Sequence, residues 1–135
     1  MTYIDCFLAP VPRANRTQYE KLARISSDVV REYGALRVVE CWLDENGPDA
    51  STYHAESARE SADRYRTFAY AAGAGDDETV VMSWVEWPDE RTRNEGMAKV
   101  TADPRMQFDV QEAVFDGLRL IAGGFRPMLD RSRSD

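Results

Sequence analysis

Apolar residues recur along the chain with two different periods, which predict two kinds of element. Four stretches rich in β-branched and aromatic residues indicate strands at residues 3–12, 35–45, 76–88 and 118–129. Between the first two strands, the apolar positions from Tyr19 to Tyr33 recur at helical spacing. A second helix is predicted in residues 88–104, which begin with proline and acidic side chains, as helices prefer. The predicted order is therefore strand, helix, strand, strand, helix, strand.

Local signals refine these elements. Thr17 followed by Glu20 is a capping-box pattern, so we expect Thr17 to cap the first helix. Gly34 follows the last apolar position, where a left-handed residue commonly ends a helix. Gly96 lies inside the second helix, where glycine costs roughly 1 kcal/mol relative to alanine. Residues 49–66 are polar with a thin stripe of alanines, which predicts one short surface helix.

This order of elements predicts a single α+β domain over residues 1–135. Right-handed crossovers on one sheet produce a ferredoxin-like βαββαβ sandwich with an antiparallel sheet and both helices on one face. The expected strand order is 4-1-3-2. By strand alternation, we expect the face without helices to carry Val38, Trp42, Met82 and Trp84. A bare apolar face of this size predicts a homodimer that pairs the two sheets face to face.

Charge and composition narrow the possible partners. The chain carries 24 acidic against 17 basic residues and a net charge of −7, which disfavours nucleic acid as a partner. No apolar run approaches the ~20 residues that cross a bilayer, so no membrane association is predicted. The first residues lack the basic start and cleavage site of a signal peptide, and a cytoplasmic location is expected.

The metal-ligating residue types are sparse. Cys6, Cys41 and His54 lack the spacing of a zinc site, so neither a metal nor a cofactor is predicted. Both cysteines fall in predicted strands, where small buried side chains with reduced thiols are the favoured interpretation. A Cys/His nucleophilic pair is the alternative, but His54 lies in a polar stretch with nothing to position it.

Several blocks in fixed order resemble a known family. They are YIDCFLAPVP, EYGALRVVECW, DDETVVMSWVEWP, ADPRM and FDGLRLIAGGF. Together they are similar to the YbaA-like family of uncharacterised bacterial proteins (domain of unknown function 1428), in the dimeric α/β-barrel superfamily. The resemblance implies the dimeric barrel fold and carries no established activity. Residues 44–66 are longer than in typical members, and Leu118 stands where the family usually has lysine, so a role needing that lysine would be absent.

Two carboxylates are the candidate catalytic residues. Asp5 and Glu40 each fall within an otherwise apolar strand, where an acid is costly unless it is paired or solvated. Burial in a partly apolar cavity would raise the pKa of either and suit it to act as a general base. Arg119 is the predicted partner of Asp5, because the first and last strands should be neighbours. The alternative is a structural Asp–Arg pair that stabilises the sheet or the dimer.

Aromatic and apolar side chains at strand spacing predict the lining of a ligand pocket, although such side chains are more often plain core. The predicted ligand-binding residues are Phe7, Trp42, Met82, Trp84, Arg105 and Phe115. Arg105 follows Asp103–Pro104 at the end of the second helix, where it either interacts with the helix end or contacts an anion.

Three functional hypotheses follow. The leading one is a homodimer that binds a small, partly apolar ligand in a cleft between sheet and helices. The second is a cofactor-independent enzyme, similar to the monooxygenases or isomerases of the wider superfamily, with Asp5 or Glu40 as base and Arg119 or Arg105 near an anionic intermediate. The third is a structural or regulatory dimer with a filled interior. Haem, which some superfamily members bind, is disfavoured because His54 is the only histidine.

Two adjacent glycines interrupt the last predicted strand. Glycine weakens a strand, since it loses more backbone entropy on folding and has no side chain to pack. Gly123 and Gly124 therefore predict a β-bulge or a close approach to another part of the protein, with space for a ligand as the functional alternative.

Overall fold

A computed structural model describes residues 2–107 and 113–134, apart from the side chains of residues 62 and 63. Its strands are β1 (Tyr3–Pro12), β2 (Arg37–Trp42), β3 (Glu78–Trp87) and β4 (Ile121–Phe125). Its α-helices are α1 (Arg16–Glu32), α2 (Ala50–Tyr53), α3 (Phe68–Ala72) and α4 (Glu90–Ala102). Short 3₁₀ turns occur at Arg13–Asn15, Glu56–Arg64, Pro104–Met106 and Gly117–Arg119.

The four strands form one antiparallel sheet in the order β2-β3-β1-β4. This arrangement confirms the predicted strand order and the α+β class. The fourth strand is shorter than predicted, because Gly117–Arg119 forms a 3₁₀ turn instead. Asp116 begins that turn by accepting a hydrogen bond from the Leu118 amide at 3.0 Å.

Helices α1 and α4 pack on one face of the sheet, which we call the helix face. Its core contains the fully buried Val11 and Trp87, together with Val29 of α1 and Val100 of α4. Gly96 lets α4 approach closely, since an added Cβ would lie 2.5 Å from the Tyr33 carbonyl oxygen and 2.8 Å from the Trp87 ring. The propensity cost of this glycine therefore accompanies a tight helix–sheet contact.

The ends of α1 agree only in part with the predicted signals. Thr17 does not cap the helix, because α1 begins one residue earlier and Asn15 is its N-cap residue, without a side-chain cap bond. A 3₁₀ turn at Arg13–Asn15 comes directly before α1, so the helical part of the chain begins before Thr17. At the other end, Gly34 has a φ of +117°, which confirms a backbone conformation that favours glycine.

The opposite face of the sheet, which we call the open face, is only partly covered. Met82, Ile121 and Phe125 point to it and are 38%, 51% and 57% exposed. Helix α3 packs against β1 and β3 at one end, where Pro10 and Val80 are buried.

The prediction that Val38 and Trp42 share the open face with Met82 and Trp84 is wrong. Val38 is paired with Val85, and Trp42 with Val81, so both lie on the helix face. Met82 and Trp84 are one residue out of phase with those partners and point the other way. Side chains alternate along a strand, so a shift of one residue in register changes the face of every side chain.

The paired glycines of β4 are explained by a side chain. The pairing of β1 with β4 runs without interruption from Ile4–Phe125 to Leu8–Ile121, so the expected bulge is absent from this part of the described structure. A Cβ on Gly124 would overlap the Tyr3 hydroxyl and lie 2.6 Å from Cζ of that ring. A Cβ on Gly123 would make only an ordinary contact with Phe125, at 3.5 Å. Gly124 is therefore the glycine that a close approach requires.

Residues 49–66 do not form one surface helix as predicted. They contain α2 and then the 3₁₀ segment Glu56–Arg64, which is kinked at Ser61 with a φ of −122°. Helix α3 is a separate element, because the Thr67 side chain caps it by accepting from the Tyr70 amide.

Candidate functional site

A groove lies between α1 and β2. It has a volume of about 280 Å³ and opens to solvent. Its lining is Tyr19, Glu20, Ala23, Arg24, Ser27, Val38, Glu40, Cys41, Trp42 and Val81. Helical spacing brings Tyr19, Ala23 and Ser27 to the side of α1 that faces the sheet, and strand alternation brings Val38, Glu40 and Trp42 to the helix face.

Glu40 is one of two acidic groups that line this groove, and Glu20 is the other. Tyr19 donates a hydrogen bond to Glu40 Oε1 at 2.7 Å, and Ser83 is paired with Glu40 on the neighbouring strand. Glu40 remains exposed along the groove, yet the groove walls desolvate its carboxylate and raise its pKa, while the Tyr19 and Ser83 hydroxyls oppose that shift. Burial and the adjacent carboxylate raise the pKa of Tyr19 far above its ordinary value, so Tyr19 acts as a neutral donor.

Two aromatic residues, Tyr19 and Trp42, line the groove, and Phe115 packs against Tyr19. The ring of Tyr19 packs edge-on against Trp42 at 5.3 Å and against Phe115 at 5.8 Å. The Arg16 guanidinium lies 4.9 Å from the centre of the Trp42 ring, and the Trp42 indole donates to Glu20 Oε1 at 3.2 Å. The predicted residues Glu40, Trp42 and Phe115 are therefore brought together through Tyr19.

Asp5 lies elsewhere on the helix face and has structural partners. It is 5% exposed, and its Oδ2 accepts from Trp87 Nε1 at 3.1 Å and from Arg93 Nε at 3.0 Å. Strand β3 separates Asp5 from Glu40, as predicted, which corresponds to about 10 Å between the two backbones. The predicted ion pair of Asp5 with Arg119 is wrong, because α4 presents Arg93 to this carboxylate instead.

The two other arginines are bound by carboxylates outside the groove. Arg119 forms a two-pronged pair with Glu78 at 2.6 and 2.9 Å, and it also donates to the Gly73 carbonyl. Arg105 is paired with Glu32 and Asp103 beyond the C-terminal end of α1. Glu32 is thirteen residues after Tyr19 in α1, roughly 20 Å along the helix. Neither arginine is therefore among the groove-lining residues.

The remaining predicted ligand-binding residues are divided between the two faces. Phe7 lies on the helix face, in one row with Ser83 and Glu40, and packs against the core. Met82 and Trp84 lie on the open face, where they do not share a cavity with Glu40. The catalytic and ligand-binding roles assigned from the sequence stay predictions.

Sequence reasoning missed two side chains of the groove, Tyr19 and Glu20. It assigned Tyr19 to the apolar face of a helix and Glu20 to a capping box. A usable signal was present, because a tyrosine on the buried face of a helix needs a partner for its hydroxyl. The sequence contains an acid on a neighbouring strand, Glu40, that could accept this hydroxyl.

Metal sites, reactive cysteines and membrane-spanning helices were further possibilities for the described part of the chain. There, no group of three or more His, Cys, Asp or Glu residues is arranged to hold a metal ion. Cys6 and Cys41 are free and partly buried, and both point to the open face. Within the same ranges, no helix is long and apolar enough to span a membrane.

Comparison with known proteins agrees with the resemblance noted above. Residues 2–117 match the family described as "Protein of unknown function (DUF1428)". The chain is 34% identical over 130 residues to "Uncharacterized protein YbaA" of Escherichia coli (strain K12) and to the protein of the same name from Shigella flexneri. Each alignment covers 96% of this chain and 99% of the relative. The chain therefore belongs to the DUF1428 family, whose function is uncharacterised.

Proposed function

We propose that this protein is a homodimer with a ferredoxin-like fold that binds a small, partly apolar ligand in the groove between α1 and β2. The observation that carries the proposal is Glu40, a carboxylate that lines this groove and accepts a hydrogen bond from the neutral Tyr19 hydroxyl. The groove walls raise its pKa, and an acid with a perturbed pKa in a cleft is a candidate for a functional site.

The lining of the groove supports a ligand with both apolar and polar parts. Val38, Val81 and the Trp42 ring offer apolar surface, and Glu40 offers a hydrogen-bond acceptor. Ligand sites commonly combine a mainly apolar lining with a few placed polar groups. The volume of about 280 Å³ can accommodate a small molecule or part of a larger one.

The exposed apolar side chains of the open face support the dimer. Pairing two open faces would cover Met82, Ile121 and Phe125, and stable interfaces bury about 800 Å² or more per partner. The free thiols of Cys6 and Cys41 suit a reducing compartment, so a cytoplasmic location is part of the proposal.

A second candidate function is a cofactor-independent enzyme in which Glu40 acts as general base. The raised pKa of Glu40 favours it, because a base is most effective when its pKa lies closer to the working pH. The positions of Arg105 and Arg119 outside the groove count against the predicted stabilisation of an anionic intermediate there.

Native mass spectrometry of the freshly purified protein tests the proposal. We expect a dimer that carries a defined additional mass. Glu40→Gln should lose this mass and remain a folded dimer, because glutamine preserves the shape of the side chain and an acceptor for the Tyr19 hydroxyl. Asp5→Asn is the matched control, with the same chemical change in the same sheet. It should keep the bound molecule and lower the melting temperature, because it weakens the buried contacts with Trp87 and Arg93.

Three other outcomes of these experiments would contradict parts of the proposal. A monomer would contradict the pairing of open faces. An equal retained mass in the parent and in Glu40→Gln would place the ligand outside the groove. An empty dimer whose stability falls in both variants would favour the structural dimer, in which both acids are scaffolding.

A further inference from the structure

Two carboxylates line the groove. Glu20 projects from α1 and Glu40 from β2, so they belong to opposite walls. Glu20 accepts from the Trp42 indole at 3.2 Å, and Glu40 accepts from the Tyr19 hydroxyl at 2.7 Å. Both of these donors are neutral. Within residues 2–107 and 113–134, neither carboxylate has an ion-pair partner within 4.0 Å.

The arginines near the groove do not form ion pairs with these two carboxylates. Arg24 lines the groove but forms no ion pair with either carboxylate, and its side chain is exposed. Arg16 lies over the Trp42 ring rather than against an acid. Arginine partners lower the pKa values of Glu78 and Asp103, whereas burial raises the pKa of Glu40. Glu40 thus lacks the opposite charge that stabilises other acids of this protein.

We propose that the ligand of this groove is a small organic cation, an amine or amidine on an aromatic or alicyclic body. The inference rests on the function proposed above and names the class of ligand. The positive group would lie between Glu20 and Glu40, and each carboxylate can accept further hydrogen bonds beyond the one it has.

The apolar part of such a ligand also has a matching surface. The Arg16 guanidinium already lies 4.9 Å from the centre of the Trp42 ring, so the positive group of the ligand would contact the carboxylates rather than this ring. Val38, Val81 and Ala23 offer a surface for an apolar ring. An anionic ligand is disfavoured, because it would face two carboxylates on a chain whose net charge is −7.

Three probes with the same ring and different charge test the inference: benzylammonium, benzyl alcohol and benzoate. The readout is the indole N–H resonance of Trp42 in ¹⁵N-labelled dimer, assigned with Trp42→Phe, because this group donates directly to Glu20. Benzylammonium should produce a saturable shift with an affinity at least tenfold greater than that of benzyl alcohol. Benzoate should produce none.

Variants separate local recognition from overall charge. The combined Glu20→Gln and Glu40→Gln variant should bind benzylammonium and benzyl alcohol equally, and each single variant should lose part of the preference. Glu95→Gln is the matched control, since it removes one negative charge from an exposed site on α4 where Glu95 pairs with Arg91. It should leave the preference unchanged, and dispersed amide spectra should confirm that every variant is folded.

Three outcomes would overturn the inference. Equal binding of the alcohol and the ammonium would leave a ligand groove but remove its charge selectivity. A preference that persists in the double glutamine variant would move cation recognition away from Glu20 and Glu40. No shift of Trp42 with any probe would refute an amine of this size here, while the native mass spectrum would still decide independently whether the groove retains a ligand.

Discussion

Replacing Tyr19 with phenylalanine removes a single hydroxyl from the groove and leaves the ring contacts with Trp42 and Phe115 in place. The lost hydrogen bond to Glu40 is 2.7 Å long and has a charged acceptor. Such bonds contribute about 1.5–3 kcal/mol when they are shielded. Glu40 is exposed along the groove, so water can replace part of the bond. We therefore expect Tyr19→Phe to lower the free energy of unfolding by about 1 kcal/mol, or the melting temperature by roughly 3–4 °C.

The pH dependence of this loss distinguishes the proposed contact from a general packing defect. Burial raises the pKa of Glu40 in the folded protein, so this carboxylate takes up its proton at a higher pH than it would when unfolded. As the pH falls through that folded pKa, the acceptor becomes neutral and the bond weakens to about half. The loss caused by Tyr19→Phe should shrink accordingly. Since the Tyr19 bond opposes the upward shift, the variant should also raise the pKa of Glu40 further.

Tyr33→Phe is the matched control, because the Tyr33 hydroxyl donates to Asp103 Oδ2 at 2.8 Å. The Arg105 side chain and backbone amide, together with the Tyr33 hydroxyl, lower the pKa of that carboxyl well below its ordinary range. The loss of unfolding free energy caused by Tyr33→Phe should therefore persist at a pH where Glu40 is already protonated. Urea unfolding between pH 7 and pH 4 and carbon NMR titration of the glutamate carboxyls measure both effects. If both variants show the same pH dependence, or if the pKa of Glu40 does not move, the reasoning is refuted.

Two further predictions concern the frame around the groove. Gly124→Ala should cost about 1–3 kcal/mol in urea unfolding, because its Cβ would overlap Tyr3, whereas Gly123→Ala meets only an ordinary contact and should cost nothing; equal effects would contradict this account. The Arg119 guanidinium and a backbone amide lower the pKa of Glu78 to about 2, so their stabilisation is present above pH 4.5 and is lost as the pH falls toward 2. Arg119→Met should lower stability at pH 7 and flatten the acid dependence in that window, and an unchanged acid profile would show that this pair does not contribute.

The candidate site was predicted in part from the sequence. Glu40 and Trp42 were identified because they are two residues apart on one strand and therefore share a face. The structure brings both to one groove. The contribution of Tyr19 could not be assigned in that way. Its hydroxyl and the Glu40 carboxylate belong to separate elements, and only the packing of α1 on the sheet brings them to 2.7 Å.

The strands, the long helices and one helix end could be predicted from the sequence, because local backbone geometry governs them. The periods of strand and helix predicted four strands and the two long helices, and right-handed crossovers predicted the strand order 4-1-3-2. The positive φ of Gly34 was also predictable, because a helix end favours glycine within a single turn of chain.

The tertiary structure alone decided the partners of the polar side chains. Asp5 is bound by Arg93, which is 88 residues away on α4, rather than by Arg119 beside the neighbouring strand. Register placed Trp42 on the helix face and Met82 on the open face, although both had been assigned to one surface. The spacing of apolar residues in a strand or helix depends on the geometry of consecutive residues, so it can be identified from the sequence alone. Partner choice depends on how distant elements pack, and small shifts in register or helix position change which groups meet.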